Sequence, residues 1–171
     1  MSVARFGRTW VFGHDINTDL IQPSSVVLLP LAEQLSHVFE ANRPGWAGEV
    51  RPGDIIVAGR NFGTGSSRPA AKVLRGLGVG AVIAESINGL FFRNCVNLGL
   101  PALECPGVLD AFSEGEQLGF DLATGHVVEQ ATGLRLHGHP WAPALIEILT
   151  AGGLIAQLES EDLLLTNTTR E

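Results

Sequence analysis

Residues 59–69 read Gly59-Arg60-Asn61-Phe62-Gly63-Thr64-Gly65-Ser66-Ser67-Arg68-Pro69, a glycine-rich stretch ending in two hydroxyls and a guanidinium. A β-prone run, Asp54 to Ala58, precedes it, and apolar residues at 70, 71, 73, 74 and 77 follow at helical spacing. A loop between a strand and a helix start aims backbone N–H groups and the positive end of the helix dipole at an anion. Neither nucleotide signature is met: a phosphate loop needs Lys before its Ser/Thr, and a dinucleotide loop needs Gly where Arg68 stands. The Arg68 fork suits a carboxylate, and a serine among N–H donors can be stabilised as an alkoxide without a histidine. Because the residue before proline is driven out of the helical region, Arg68 is expected at or just outside the N-cap. Pro69 is then expected at the first helical position, with Ser66 and Ser67 in the entering turn. Taken alone, the same residues also describe a capped helix with a surface arginine.

The elements that must hold this loop can be read around it. Arg8 to Phe12 is expected to be a strand leading into the polar cluster His14-Asp15-Ile16-Asn17-Thr18-Asp19, and Arg43 to Gly53 a linker. Asp54–Ala58 and Ala81–Ala84 read as buried strands, each followed by a helix: Pro69–Leu77 closed by Gly78, and Ile87–Leu98 closed by Gly99. Two βα units in a row predict a parallel core. From Gln117 to Leu136 the pattern shifts to alternation with turn signals at Ala123-Thr124-Gly125 and Ala131-Thr132-Gly133, which predicts antiparallel hairpins. Pro140 to Ala151 is expected to be the last helix, stopped by Gly152-Gly153.

Composition narrows the function classes. At 171 residues and 45% hydrophobic, the chain suits one domain, taken as residues 1–158, with 159–171 as a charged, frayed tail. A net charge of −7 with 11 Lys+Arg offers no basic stripe for nucleic acid, and no apolar run is long enough for a membrane span. A cytoplasmic location is expected. Cys95 and Cys105 are too few for a cluster or structural zinc and sit in apolar contexts, so both are expected to be buried thiols and no metal is assigned to this chain. His137 and His139 would share one strand face but lack a third ligand nearby. His14 is either a solvated loop residue or an orienting partner for a carboxylate.

Asp54-Ile55-Ile56-Val57-Ala58-Gly59-Arg60-Asn61-Phe62 followed by Gly63-x-Gly65-Ser66-Ser67-Arg68 resembles the signature of the mobile swivel domain of the aconitase superfamily. The resemblance continues in order through Asp15-Ile16-Asn17-Thr18-Asp19, Ala81 to Ser86, Phe91-Phe92-Arg93-Asn94, Asn97 to Pro101 and Ala151 to Leu154. The short length matches the free-standing, archaeal-like small subunit of isopropylmalate dehydratases. This resemblance implies an α/β fold: one three-layer β/β/α swivel domain with a partly parallel core sheet and antiparallel hairpins in the C-terminal half.

The resemblance also implies chemistry. It implies a cluster-bearing large subunit, in a heterodimer or heterotetramer, whose [4Fe–4S] group acts on a small hydroxy dicarboxylate while the small subunit closes over it. Ser66 matches the base, Ser67 and Arg68 the carboxylate-holding residues, Asp19 an acidic residue facing the same site, and Gly63-Thr64-Gly65 the anion-loop backbone. The specificity loop falls at Val26-Val27-Leu28-Leu29, where relatives acting on tricarboxylates carry arginine; the alternative is core strand. An apolar pocket here would leave a third carboxylate unpaired, so a diacid with an isopropyl or methyl branch is implied. Pro69-Ala70-Ala71 replaces the usual Glu-His-Ala, and Ser86-Ile87-Asn88-Gly89 the usual Ser-Phe-Ala-Arg. These departures leave three readings: isopropylmalate isomerisation in leucine biosynthesis, a paralogue hydrating citraconate or dimethylmaleate, and a non-catalytic anion-binding or assembly subunit.

Overall fold

The computed structural model describes residues 5–65 and 68–161. Strand β1 (Arg5–Val11) stands in the middle of one seven-stranded sheet and joins its two halves. On one side it pairs in parallel with β2 (Ile55–Ala58), which pairs with β3 (Ala81–Ala84), which pairs with β4 (Ala102–Glu104). On the other it pairs antiparallel with β5 (Gln117–Asp121), followed by β6 (His126–Glu129) and β7 (Arg135–His137). Every residue of β2 and β3 is buried, as befits strands covered on both faces. The parallel βα core and the C-terminal hairpins are therefore both present, in the mixed α/β swivel architecture expected.

Helices α4 (Ala70–Gly76) and α5 (Gly89–Leu98) follow β2 and β3 and pack on each other. The C-terminal segment differs from expectation. Helix α7 runs Pro143–Thr150, and after Gly152 and Gly153 the chain forms a further helix, α8 (Leu154–Ser160), packed on α5 and α7. Glu159 thus belongs to a helix rather than to a tail, and residues 162–171 lie outside the described residues. Short helices α1 (Thr18–Ile21), α2 (Leu31–Leu35), α3 (Trp46–Glu49) and α6 (Val108–Ala111) were not foreseen, and α3 interrupts the expected linker. Among the described residues, no helix is long and apolar enough to cross a membrane.

The N-terminal connection is pinned by aromatic rings. Phe12 stacks on Phe39 at 4.2 Å, and Trp46 meets Phe12, Phe39 and Trp10 edge-on at 4.9 to 6.0 Å. Below them Asp54, 5% exposed, accepts 2.7 Å hydrogen bonds from Arg8 Nη2 and Trp10 Nε1, and one from the Arg51 N–H at 2.9 Å. Burial pushes the Asp54 pKa up, but the hydrogen bonds from Arg8, Trp10 and Arg51 outweigh it and hold the carboxyl below its ordinary value. A depressed folded-state pKa contributes stability above the unfolded value of about 4, lost as pH falls through the folded value. Asp54→Asn should therefore cost about 2 kcal/mol at pH 7, persisting at pH 5 and narrowing only below about pH 4. Urea midpoints of parent and variant across that range check it; equal midpoints at pH 7 would contradict it.

Candidate functional site

The site is assembled where the parallel strands end. After β1 the chain turns through His14 to Asn17 into α1; after β2 comes the glycine-rich loop; after β3, Glu85 to Asn88 lead into α5. Backbone hydrogen bonds sew these connections together. Asp15 N–H donates to Arg60 O, Gly63 N–H to Ile16 O and Thr18 N–H to Thr64 O, at 2.7 to 2.8 Å. From the other side Phe62 N–H donates to Ser86 O at 3.1 Å and Asn88 N–H to Phe62 O at 2.8 Å. The loop is thus bridged to both neighbours, at Asn17 with Thr64 and at Phe62 with Ile87. Strand ends at one edge of a parallel sheet are where open α/β folds place their ligands.

The loop's glycines are required by close packing. Gly63 has φ +76°, and a Cβ there would lie 2.3 Å from the Phe91 ring; Gly65 has φ +93°, with Thr18 Oγ1 2.8 Å from where a Cβ would stand. Asn61 and Asp15 also adopt positive φ, and Asn61 Nδ2 donates to Asp15 Oδ1 at 2.7 Å. The short polar side chains tolerate the left-handed backbone and lock the two loops to each other. Residue types alone do not single out Asn61 as a fastener; the signal for it is an Asn followed by Phe-Gly in a loop, paired with an Asp in a turn-rich cluster.

Asp19 and Arg68, far apart in sequence, meet here. Asn17 caps α1 by accepting from Leu20 N–H at 2.8 Å, which places Asp19 in the first turn. The Arg68 Nε lies 3.1 Å from Asp19 Oδ1, with the Arg68 side chain 20% exposed and that of Asp19 64% exposed. The pair presents a guanidinium, already oriented on one edge by a carboxylate, beside an open surface. Ser66 and Ser67 lie outside the described residues; Gly65 and Arg68 flank them. Arg68 stands just outside the cap, as expected, but Pro69 is the N-cap of α4, at ψ 50°, rather than its first helical residue, which is Ala70. Pro69 has no N–H to give the first turn, and no side chain caps it.

In the Val26–Leu29 segment, Val26 is buried at 4% exposure, Leu28 is 98% exposed and Leu29 37%. A 3₁₀ turn, Ser24–Val26, replaces the core strand considered as the alternative, and Leu28 is the tip of a turn between Pro23 and Pro30. His14 is partly exposed, and its Nδ1 accepts from the Arg60 N–H at 2.9 Å, which places its proton on Nε2. The same Nδ1 is 3.9 Å from Glu85, too far to hydrogen-bond; Glu85 lies nearer the Arg60 guanidinium, at 3.5 Å. His137 and His139 do not share a face: β7 ends at His137, whose ring meets that of His126 edge-on at 5.1 Å, while His139 Nδ1 is 3.2 Å from Glu104 Oε2. Cys95 and Cys105 are fully buried, as expected, and burial pushes both thiols up, that of Cys105 to about 11.

The sequence itself has close counterparts. Residues 36–107 match the family profile described as Aconitase C-terminal domain. The chain is 43% identical over 157 residues to 3-isopropylmalate dehydratase small subunit 1 of Methanopyrus kandleri, covering 91% of this chain and 92% of that one. It is 41% identical to the isopropylmalate/citramalate isomerase small subunit of Methanocaldococcus jannaschii, covering 91% and 94%. It is 43% identical to the methanogen homoaconitase small subunit of Methanothermobacter thermautotrophicus, covering 87% of each. In three dimensions it superposes on the crystal structure of 3-isopropylmalate dehydratase from Methanocaldococcus jannaschii with a TM-score of 0.86 at 32% identity, covering 94% and 96%. Identity of this order over nearly the whole of each partner, with the same swivel fold, places the chain in the isopropylmalate dehydratase small-subunit family of the aconitase superfamily.

Proposed function

We propose that this chain is the small subunit of a two-subunit hydro-lyase that isomerises isopropylmalate in leucine biosynthesis by dehydrating and rehydrating it. The observation that carries this reading is the Asp19–Arg68 pair beside the glycine-rich loop. The pair, at the carboxyl edge of the parallel strands, serves in this reading as a carboxylate clamp, with Ser66 and Ser67 directly before Arg68 in sequence. In this reading Arg68 and Ser67 hold a substrate carboxylate, and Ser66 removes the proton from the carbon beside it. Asp19 keeps the guanidinium turned toward the substrate. Negative charge developing on that carbon is met by fixed donors and a cation rather than by water that must reorganise.

A [4Fe–4S] cluster, when bound, would supply the Lewis acid that loss of the hydroxyl requires. The donors of this chain do not suit a cluster: its two thiols are buried and held protonated, on α5 and just past β4. The cluster is therefore assigned to a large-subunit partner, and the open face around Asp19 to the surface that closes over it.

The relatives' names span an isopropylmalate dehydratase, an isopropylmalate/citramalate isomerase and a homoaconitase, so family membership leaves the branch of the acid open. Leu28 supports an apolar branch: the exposed tip of the loop is a leucine, and the Val26–Leu29 loop holds no cation to pair a third carboxylate. Anaerobic co-expression with a cluster-bearing large subunit, followed by hydration assays on isopropylmaleate, citraconate, dimethylmaleate and aconitate, tests this. Isopropylmaleate should be the best substrate and aconitate the poorest. A preference for citraconate or dimethylmaleate would point to a paralogue, and no turnover with the cluster intact would leave only a non-catalytic anion-binding or assembly role.

A further inference from the structure

We propose that Gln34, anchored by Gln22, is a positioning residue that sets the selectivity of the Val26–Leu29 loop; this rests on that loop meeting the substrate. Both glutamines are buried, Gln22 fully and Gln34 at 9% exposure. Glutamine seldom goes inside, and a buried amide is costly unless its polar atoms are paired. Gln34 Nε2 donates to two carbonyls of the loop, Val27 O at 3.1 Å and Leu29 O at 2.6 Å. Gln22 Nε2 donates in turn to Gln34 Oε1 at 2.5 Å.

The direction of this relay is forced. Carbonyls only accept, so Gln34 must present its NH₂ to the loop, which turns its oxygen toward Gln22. Gln22 must then present its own NH₂, leaving its oxygen without a partner among the described residues. Two consequences meet at Leu28. The carbonyls on either side of it are held, and the Leu29 N–H closes the turn onto Val26 O at 3.0 Å. With its side chain 98% exposed, Leu28 owes its place to this clamped backbone rather than to packing.

The other end of the relay reaches the carboxylate clamp. Gln22 is the C-cap residue of α1, its N–H donating to Thr18 O at 2.9 Å, and α1 carries Asp19, the partner of Arg68. The relay therefore fixes the residue that reads the branch of the acid relative to the residues that hold its carboxylate. Such a spacing governs selectivity, because a branch is read only when its carboxylate is held at the right distance.

The test uses the co-expressed two-subunit enzyme. Gln34→Met keeps the length of the side chain and removes both donors. It should raise KM for isopropylmaleate, change kcat less, and lower the kcat/KM ratio of isopropylmaleate over citraconate by about tenfold. Gln34→Glu sets a carboxylate against the two carbonyls and should do at least as much. Gln22→Leu should move the ratio in the same direction by less, since Gln34 keeps its bonds to the loop. Hydrogen exchange of residues 27–29 should quicken in all three variants while β2 and β3 are unaffected. An unchanged ratio in variants that assemble and turn over would overturn the proposal, as would a changed ratio with unchanged exchange. A parent complex inactive on every diacid would count instead against the function proposed above, and the exchange measurement would still decide whether Gln34 holds the loop.

Discussion

Replacing Ser66 by Ala in the assembled enzyme should lower kcat by roughly 10²–10⁴-fold, the range typical for loss of a general base, while the two subunits still co-purify. The size of the effect follows from how weak a base serine is. A hydroxyl takes a proton from carbon only if its alkoxide is stabilised where it stands, and that needs donors fixed beforehand. The chain fixes both approaches to the serine. On one side Thr64 O accepts from Thr18 N–H, and Gly65 follows, with no Cβ to meet Thr18 Oγ1. On the other, Arg68 is held by Asp19. Alanine removes only the side-chain oxygen of serine, so lost turnover with retained assembly isolates chemistry from folding. A variant that keeps most of its rate would remove Ser66 as the base and shift attention to groups on the partner.

The parts of the fold most legible in the sequence are those whose physics is local. Ile55–Ala58 and Ala81–Ala84 are unbroken apolar runs because both faces of a central parallel strand are covered, and Gly99 marks the end of α5 because a left-handed residue closes it. The short helices were illegible for an equally physical reason. Five residues such as Leu31–Leu35 complete barely more than one turn, too few for periodicity to register, and Gly48 inside Trp46–Glu49 argues against a helix that tertiary packing imposes. Gly152 and Gly153 read as a stop, yet they form the corner from which α8 folds back onto α5. At the site, residue chemistry identified the glycine-rich loop, while the meeting of Asp19 with Arg68 came only from resemblance to a family. No spacing rule joins a helix cap after β1 to a residue after β2. The buried Gln22–Gln34 relay left no signal at all, because a glutamine reads as a surface residue until its surroundings are known.

Leu28→Arg should raise the kcat/KM of aconitate relative to isopropylmaleate by roughly 10- to 100-fold, the worth of one charge-assisted hydrogen bond to a carboxylate. Leu28 is the position for this change and Leu29 is not. At 98% exposure Leu28 gives up no packing when replaced, whereas Leu29, at 37%, is partly covered. The clamp from Gln34 holds backbone carbonyls, so an arginine at Leu28 inherits the same fixed turn and delivers its guanidinium from a defined point. Two effects, one on each substrate, then act on the ratio. A tricarboxylate gains a partner for the carboxylate that an apolar pocket leaves bare, and a branched diacid loses apolar contact and meets an unpaired cation as the site closes. Both move the ratio the same way, so a small effect cannot arise by cancellation. If the ratio of the two rates in the assembled enzyme stays where it was, Leu28 does not face the substrate. The exposed turn would then belong to the surface that meets the large subunit, and selectivity would have to be sought in residues that the partner contributes.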